Sequence, residues 1–408
     1  MGKKLKKNVP VLRFPDFEGD WEILTIEEIA SVSSGGTPSR TEPSFWGGDI
    51  PWVTTSEISQ TEIFDTAEKI TRKGLKNCSA KIVEKNTILM AIYGQGKTRG
   101  QVSILRIEAT TNQACAAIAL KDNYNPEFTY HFLSREYESL KLLSNDGSQK
   151  NLSAALVKQY KIPLPSIAEQ EKIASFLGAV DARLTQLRRK RELLQAYKRG
   201  VMQKLFTQEI RFKGAIGWEF PDWEKKDLGD ITKIYDGTHQ TPNYVERGVP
   251  FYSVEHLTSN NFTDTKFISE DIFLQEQKRV CLEKEDILMT RIGDIGTCRL
   301  IDWDVRASFY VSLALIKANK ITISAFLAHF ISSVYFQKEL HKRTIHVAFP
   351  KKINLGEIGN CKTLLPCLEE QEKIANFLTA INRKIEAISR QIDQTEQFKK
   401  GLLQKMFV

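Results

Sequence analysis

One ten-residue stretch occurs twice in this chain, and each copy opens a long helical pattern. Ala168-Glu169-Gln170-Glu171-Lys172-Ile173-Ala174-Ser175-Phe176-Leu177 returns as Glu369-Glu370-Gln371-Glu372-Lys373-Ile374-Ala375-Asn376-Phe377-Leu378. Behind the first copy, Ile173, Leu177, Val180, Leu184, Leu187, Leu194, Val201 and Leu205 recur at steps of four and three, interrupted at Arg191 and Lys198. Behind the second, Ile374, Leu378, Ile381, Ile385, Ile388, Ile392, Leu402 and Met406 keep the same register, with Thr395 and Lys399 in the gaps. Both are coiled-coil seams, and a stripe this narrow cannot hide its apolar residues alone. Each helix needs a partner, and the nearest partner is the other copy.

The two segments match without a gap: Gln170 and Gln371, Gly200 and Gly401, Phe206 and Phe407 all stand 201 positions apart. Around them the chain reads globule, helix, globule, helix, with expected boundaries at 1–165, 166–207, 208–366 and 367–408. A length of 408 residues leaves room for two globules with cores of their own. If the first helix leaves globule one and enters globule two, the second must run back for the seams to meet. The expected architecture is α+β: two α/β domains separated by two long antiparallel coiled-coil helices, an internal repeat with pseudo-two-fold symmetry.

The globules share only short words. Arg13-Phe14-Pro15-Asp16-Phe17 is matched with Phe220-Pro221-Asp222-Trp223 as the start of each unit. An apolar helix-like stretch, Ile26 to Ser39 or Leu228 to Pro242, ends in a turn: Gly35-Gly36-Thr37-Pro38-Ser39 in the first half, Gly237-Thr238-His239-Gln240-Thr241-Pro242 in the second. Such turns leave amides and hydroxyls free. Strand-like pieces follow at Ile50 to Thr54 and Val249 to Ser253, then at Thr87 to Ile92 and Asp286 to Ile292. The latter pair runs into the glycine loops Tyr93-Gly94-Gln95-Gly96-Lys97-Thr98-Arg99-Gly100 and Gly293-Asp294-Ile295-Gly296-Thr297-Cys298-Arg299. Amphipathic helices around Phe128 to Leu143 and Phe326 to Leu340 precede polar or basic loops at 145–150 and 344–352.

No catalytic constellation emerges. Gly96-Lys97-Thr98 follows a strand, but a phosphate-binding P-loop needs a glycine five positions before the Gly-Lys pair, where this chain has Ala91. A DNA-base methyltransferase would carry an Asn-Pro-Pro-Tyr-like turn, and there is no Pro-Pro pair; Gly94-x-Gly96-x-x-x-Gly100 misses the dinucleotide spacing. His131 and His329 recur on matching helices and read as packed or surface histidines. Six scattered cysteines without a CxxC word read as reduced thiols in a cytoplasmic protein, with no metal site. No apolar run approaches the roughly 18 residues of a membrane span, the basic start lacks a secretory apolar core, and Lys6 stands where a myristoylation signal wants Ser or Thr.

What remains is binding. A net charge of +8 and a pI near 9.0 favour a polyanionic partner. Arg188-Arg189-Lys190-Arg191 with Lys198, Arg199 and Lys204, echoed by Arg383, Lys384, Arg390, Lys399, Lys400 and Lys405, form either a basic face or a solvated coiled-coil flank. The candidate contacts in the first half are Gly36, Thr37, Ser39, Tyr93, Gly94, Lys97, Thr98, Arg99, Gln149 and Lys150. In the second half they are Gly237, Thr238, His239, Arg291, Gly293, Asp294, Thr297, Arg299, His346 and Lys351. Loops of this kind offer amides and guanidinium forks to phosphates and base edges.

With those residues in view, the chain resembles the specificity subunit of type I restriction-modification systems. The words Leu164 to Leu177 and Leu365 to Leu378 carry most of the likeness, joined by the Gly-Thr-Pro turn, Asp286-Ile287-Leu288 and the Gln-Lys-x-Phe helix ends. The resemblance implies two target-recognition domains, each reading half of a bipartite double-stranded DNA sequence. It implies two methyltransferase (M) subunits and restriction (R) subunits as partners, and no cofactor in this chain. S-adenosylmethionine, ATP and Mg belong to those partner chains. The sequence departs from the family at Lys85-Asn86-Thr87, where the second half has Glu285-Asp286, and at the extra residues of 237–242. A helix of about 40 residues spans roughly 60 Å, while neighbouring major-groove sites on one face of DNA lie about 34 Å apart. Divergent heads point to an asymmetric target with an unread gap. Two other readings stay open: a P-loop-like nucleotide-hydrolysing enzyme using Lys97, and a coiled-coil adaptor without DNA contact.

Overall fold

The computed structural model describes residues 8–94, 98–143 and 152–408. It forms two compact units: one runs through Arg188 and takes in Arg390–Val408, the other is Arg189–Ser389. The units cut across the four expected segments, because a helical stretch belongs with the core that buries its seam.

Helices Ile167–Phe206 and Leu368–Met406 are each unbroken. In the first unit, Ile173 and Leu177 share a core with Leu402, Met406 and Phe407. Asp181 meets Lys399 at 2.6 Å and Arg188 meets Glu396 at 2.7 Å, so one helix descends as the other rises. In the second unit, Met202 and Leu205 share a core with Ile374, Leu378 and Ile381. The pairing inside each unit is antiparallel. Leu184, Leu187, Ile388 and Ile392 are also buried, and Val180, Leu194 and Ile385 half-buried, which fits one apolar stripe facing a partner.

The repeated Glu-Gln word docks the helix start. Glu169 is buried and held by both Arg13 Nε and Arg13 Nη2, at 2.8 and 2.7 Å. Glu370, also buried, accepts from Arg211 Nε and Nη2 and from Trp223 Nε1. Gln170 accepts from the Asn125 amide and donates to the Pro165 carbonyl; Gln371 accepts from the Ile323 amide and donates to Ile321 and Pro366. These contacts correct the alignment of the unit starts. Arg13-Phe14 corresponds to Arg211-Phe212, since Phe14 packs on Phe176 as Phe212 packs on Phe377. Phe220 and Pro221 instead supply carbonyls to Arg211, the task done for Arg13 by Glu18 and Gly19.

The first head has a five-stranded sheet in the order Ala30–Ser34, Cys115–Leu120, Ile88–Ala91, Val102–Leu105, Glu62–Ile63, beside a three-stranded sheet built on Trp46–Val53. The second has a four-stranded sheet in the order Thr232–Asp236, Leu313–Ala318, Ile287–Thr290, Cys298–Leu300, beside another built on Val249–Tyr252. Most neighbours are antiparallel, as an α+β fold requires. The stretches expected to be helix-like after Ile26 and Leu228 make one helical turn each and then become strands Ala30–Ser34 and Thr232–Asp236. Long-range pairing with Cys115–Leu120 and Leu313–Ala318 overrides the local apolar period there. The amphipathic helices are likewise divided, at Glu136 and at Ser332-Ser333, where the Ser333 hydroxyl accepts from the Phe336 amide and caps a new helix.

Aromatic plugs close both cores. Phe407 packs on Phe128 at 5.1 Å and on Trp21 at 6.4 Å; Phe206 packs on Phe330 at 5.3 Å and on Trp223 at 6.4 Å. The repeated histidines lie beneath these helices. Burial pushes His131 down to about 3 and His329 to about 4, so both are neutral at pH 7, and the 3.9 Å approach of His131 to Asp181 is not an ion pair. His329 meets the Thr379 hydroxyl at 3.2 Å. Because an unfolded histidine titrates near 6.5, the unfolded chain binds more protons than the folded one below that pH. The histidines' contribution to stability is full above about pH 6.5 and is lost as the pH falls toward 4, roughly 3 kcal/mol for His329. Urea denaturation at pH 7 and pH 4.5 checks this: His329→Gln is expected to flatten the acid loss, and an unchanged difference would refute it.

Among the described residues, no helix is long and apolar enough to cross a membrane. All six cysteines are free, with Cys115, Cys298 and Cys361 buried.

Candidate nucleic-acid interface

In the second unit the strand order brings three candidate loops to one end of the four-stranded sheet. Asp236 pairs with Ala314 and Thr290 with Leu313, so the segments after Thr232–Asp236 and Ile287–Thr290 emerge together beside the start of Leu313–Ala318. Arg291 ties them. Its Nη1 donates to the Val311 carbonyl at 2.7 Å and its Nε to the Ile353 carbonyl at 3.3 Å, while the Val311 amide donates to the Thr238 carbonyl. Arg291 is buried, and desolvation lowers its pKa. It is a clamp, with its guanidinium committed to carbonyls.

The glycine loop and the basic loop meet directly. Gly293, at φ +84°, donates its amide to the Lys351 carbonyl at 2.8 Å, and Ile292 bridges to Lys352. A positive φ there suits glycine, since a side chain would be strained. Asp294 accepts from the Thr290 hydroxyl at 2.9 Å, and that hydroxyl accepts from the Thr297 amide at 3.0 Å. Around this junction lies a cleft of about 260 Å³ lined by Gly293, Asp294, His341, His346 and Lys351, with Gln337 beneath. His346 Nε2 lies 2.9 Å from the His341 carbonyl; a carbonyl only accepts, so that nitrogen carries the proton.

The turn at 237–239 divides its residues. Gly237 is buried, and a Cβ there would stand 2.1 Å from the Phe309 carbonyl oxygen; Thr238 is buried as well. His239 is exposed and bonds Asp236 at 2.7 Å, with Arg279 on the other carboxylate oxygen at 2.9 Å. Burial raises the pKa of Asp236, but the bonds from His239 and Arg279 outweigh it and hold the carboxyl below its usual range. Arg299 lies on strand Cys298–Leu300, outside the loop cluster; its charge acts on Lys198 of the long helix.

The first unit repeats the layout with other residues. Ser34 pairs with Ala116 and Ala91 with Cys115, again bringing two loops to one sheet end. Gly36 is buried: its amide donates to the Thr111 carbonyl and its carbonyl accepts from Trp52 Nε1. Thr37 is exposed and donates to Gln113, and Ser39 is exposed beside Thr41. Tyr93 and Gly94 are exposed, Thr98 half-buried, and Arg99 Nη2 donates to the Lys141 carbonyl at 2.9 Å. Lys97, Gln149 and Lys150 lie outside the described residues. Sequence reasoning missed Arg40, which stacks 3.8 Å from the Trp46 ring centroid while pairing with Glu68, and missed Arg279. Charge alone did not distinguish these arginines. Nor do the helical basic residues make one free face: Arg188, Arg189 and Lys399 are paired with Glu396, Glu192 and Asp181.

The family model described as "Type I restriction modification DNA specificity domain" matches this chain twice, over residues 18–195 and 221–397. The chain belongs to that family. Among specificity subunits it is similar to that of the MjaIX enzyme of Methanocaldococcus jannaschii, with 26% identity over 404 residues, covering 95% of this chain and 92% of the relative. The MjaVIII specificity subunit of the same organism is 27% identical over 413 residues, covering 97% and 93%. The crystal structure of the type I restriction-modification S subunit from M. genitalium aligns over 98% of this chain and 99% of that one, with a TM-score of 0.65 and 18% identity, a likeness of fold. A specificity subunit needs no hydrolytic centre, and nothing in these relatives supports the nucleotide-hydrolysing or DNA-free adaptor readings.

Proposed function

We propose that this chain is the non-catalytic DNA-recognition subunit of a cytoplasmic type I restriction-modification complex. Each unit reads one half of an asymmetric bipartite duplex target, and the long helices set the interval and dock two methyltransferase subunits. S-adenosylmethionine, ATP and Mg, with the methylation and cleavage they serve, belong to the methyltransferase and restriction chains. The observation that carries this reading is the meeting of the glycine loop, the Gly-Thr turn and the basic loop at one sheet end in the second unit, over the clamp of Arg291. The exposed side chains of His239, His346 and Lys351 there suit phosphates and base edges. The first unit repeats the scaffold with Thr37, Ser39 and Tyr93 in place of those side chains, which supports two unlike half-sites.

Co-expression with the cognate methyltransferase, followed by mapping of methylated adenines, tests the proposal. The expected result is a split, non-palindromic target whose two halves change independently when residues of one unit are altered. A contiguous or palindromic target, or none, would count against it.

A further inference from the structure

The basic loop of the second unit has a rigid base and an apolar tip. At its base Ile345 pairs with Lys352, Ile292 bridges to Lys352, and the Gly293 amide holds the Lys351 carbonyl. At its tip Val347 is 97% and Phe349 103% exposed, the two most exposed large apolar side chains among the described residues. A single exposed aliphatic residue is ordinary, but two at the end of a stitched loop leave apolar surface in water with nothing of this unit to cover it. The flanks choose the occupant. His346, Lys351 and Lys352 stand beside the tip, and neither lysine has an ion-pair partner among the described residues. A duplex complements that pattern: phosphates take the ammonium groups, and a base step takes an apolar wedge.

We propose that Phe349, supported by Val347, wedges into a base step of the half-site read by the second unit, with Lys351 and Lys352 on the flanking phosphates. Part of that unit's specificity then comes from how easily the wedged step unstacks, which favours flexible pyrimidine–purine steps over stiff ones. This rests on the DNA-reading conclusion above and adds a residue that touches no base edge by hydrogen bonding.

The test uses the full chain with its methyltransferase and duplexes carrying the mapped target, with 2-aminopurine placed in turn at each step of the second half-site. Binding should raise the fluorescence at one step apart from the adenine that the methyltransferase takes out of the stack. Phe349→Ala should abolish that rise and weaken specific binding roughly tenfold, within the range of a lost base stack, while leaving the salt dependence unchanged. Phe349→Leu should keep part of the rise. Lys351→Ala should keep all of it, yet lower the slope of affinity against salt by about one. Full exposure makes Phe349→Ala neutral for folding. Unchanged fluorescence and affinity in Phe349→Ala overturn the wedge. So does loss of methyltransferase co-purification in that variant, which would assign the tip to a protein partner. A wild-type complex with no sequence preference overturns the DNA-reading conclusion itself, and the wedge with it.

Discussion

Replacing Arg211 with alanine is expected to lower the unfolding free energy of the second unit by about 2–3 kcal/mol, because it strands the buried carboxylate of Glu370 while the guanidinium it loses is only part-buried. Glu370 lies fully buried at the start of the C-terminal helix, and both of its oxygens are occupied by Arg211, at 3.1 and 2.8 Å, with Trp223 Nε1 at 2.9 Å on one of them. Removing the guanidinium leaves a carboxylate with one indole donor in a medium that solvates it poorly. The same variant frees the carbonyls of Phe220 and Pro221, so the entry segment loosens with it. Arg13→Ala should cost the first unit a similar amount through Glu169. The two pairs share no partner, so the double variant should be nearly additive. Chemical denaturation followed by hydrogen exchange resolved over residues 220–365 and 20–165 measures both. A loss below about 1 kcal/mol, or a loss in the wrong unit, would show that the pair is incidental.

Leu184→Pro is expected to break the central helix and abolish assembly with the methyltransferase. Proline in a helix interior removes one backbone hydrogen bond and clashes with the preceding turn, at about 3 kcal/mol or more. Here the site is also buried in the apolar stripe, at 4% exposure, so truncating a leucine adds the loss of a packed side chain. Three residues before it, Asp181 holds Lys399, and four residues after it, Arg188 holds Glu396; a kink between them pulls both contacts out of register. Leu184→Ala separates the effects. It keeps the helix, and its loss should be confined to packing, roughly 2–4 kcal/mol for a buried leucine. Circular dichroism and co-purification are the readouts. Full methyltransferase recovery with Leu184→Pro would remove the helix pair from the account of assembly.

The periodic features were legible before any coordinates. Steps of four and three from Ile173 and from Ile374 required two long helices, because the spacing of apolar side chains along a helix is a local property of the backbone. The antiparallel sense followed from chain connectivity, and the strands at Ile88–Ala91 and Ile287–Thr290 from continuous apolar runs. What each loop residue faces was another matter. The sequence pattern places Gly36, Gly237 and Arg291 among the candidate contacts, yet their neighbours are the Thr111, Phe309 and Val311 carbonyls, reached only through strand pairing. A shift of one residue in that pairing would turn every such side chain to the opposite side. Arg13 and Arg211 carry no local mark of importance, because the carboxylates that hold them lie 156 and 159 residues away. Phe349 stood in a loop read as basic, and its isolation from its own core is a property of the folded surface. Local periodicity decides which elements a chain forms; non-local register decides which of its side chains are left for a partner.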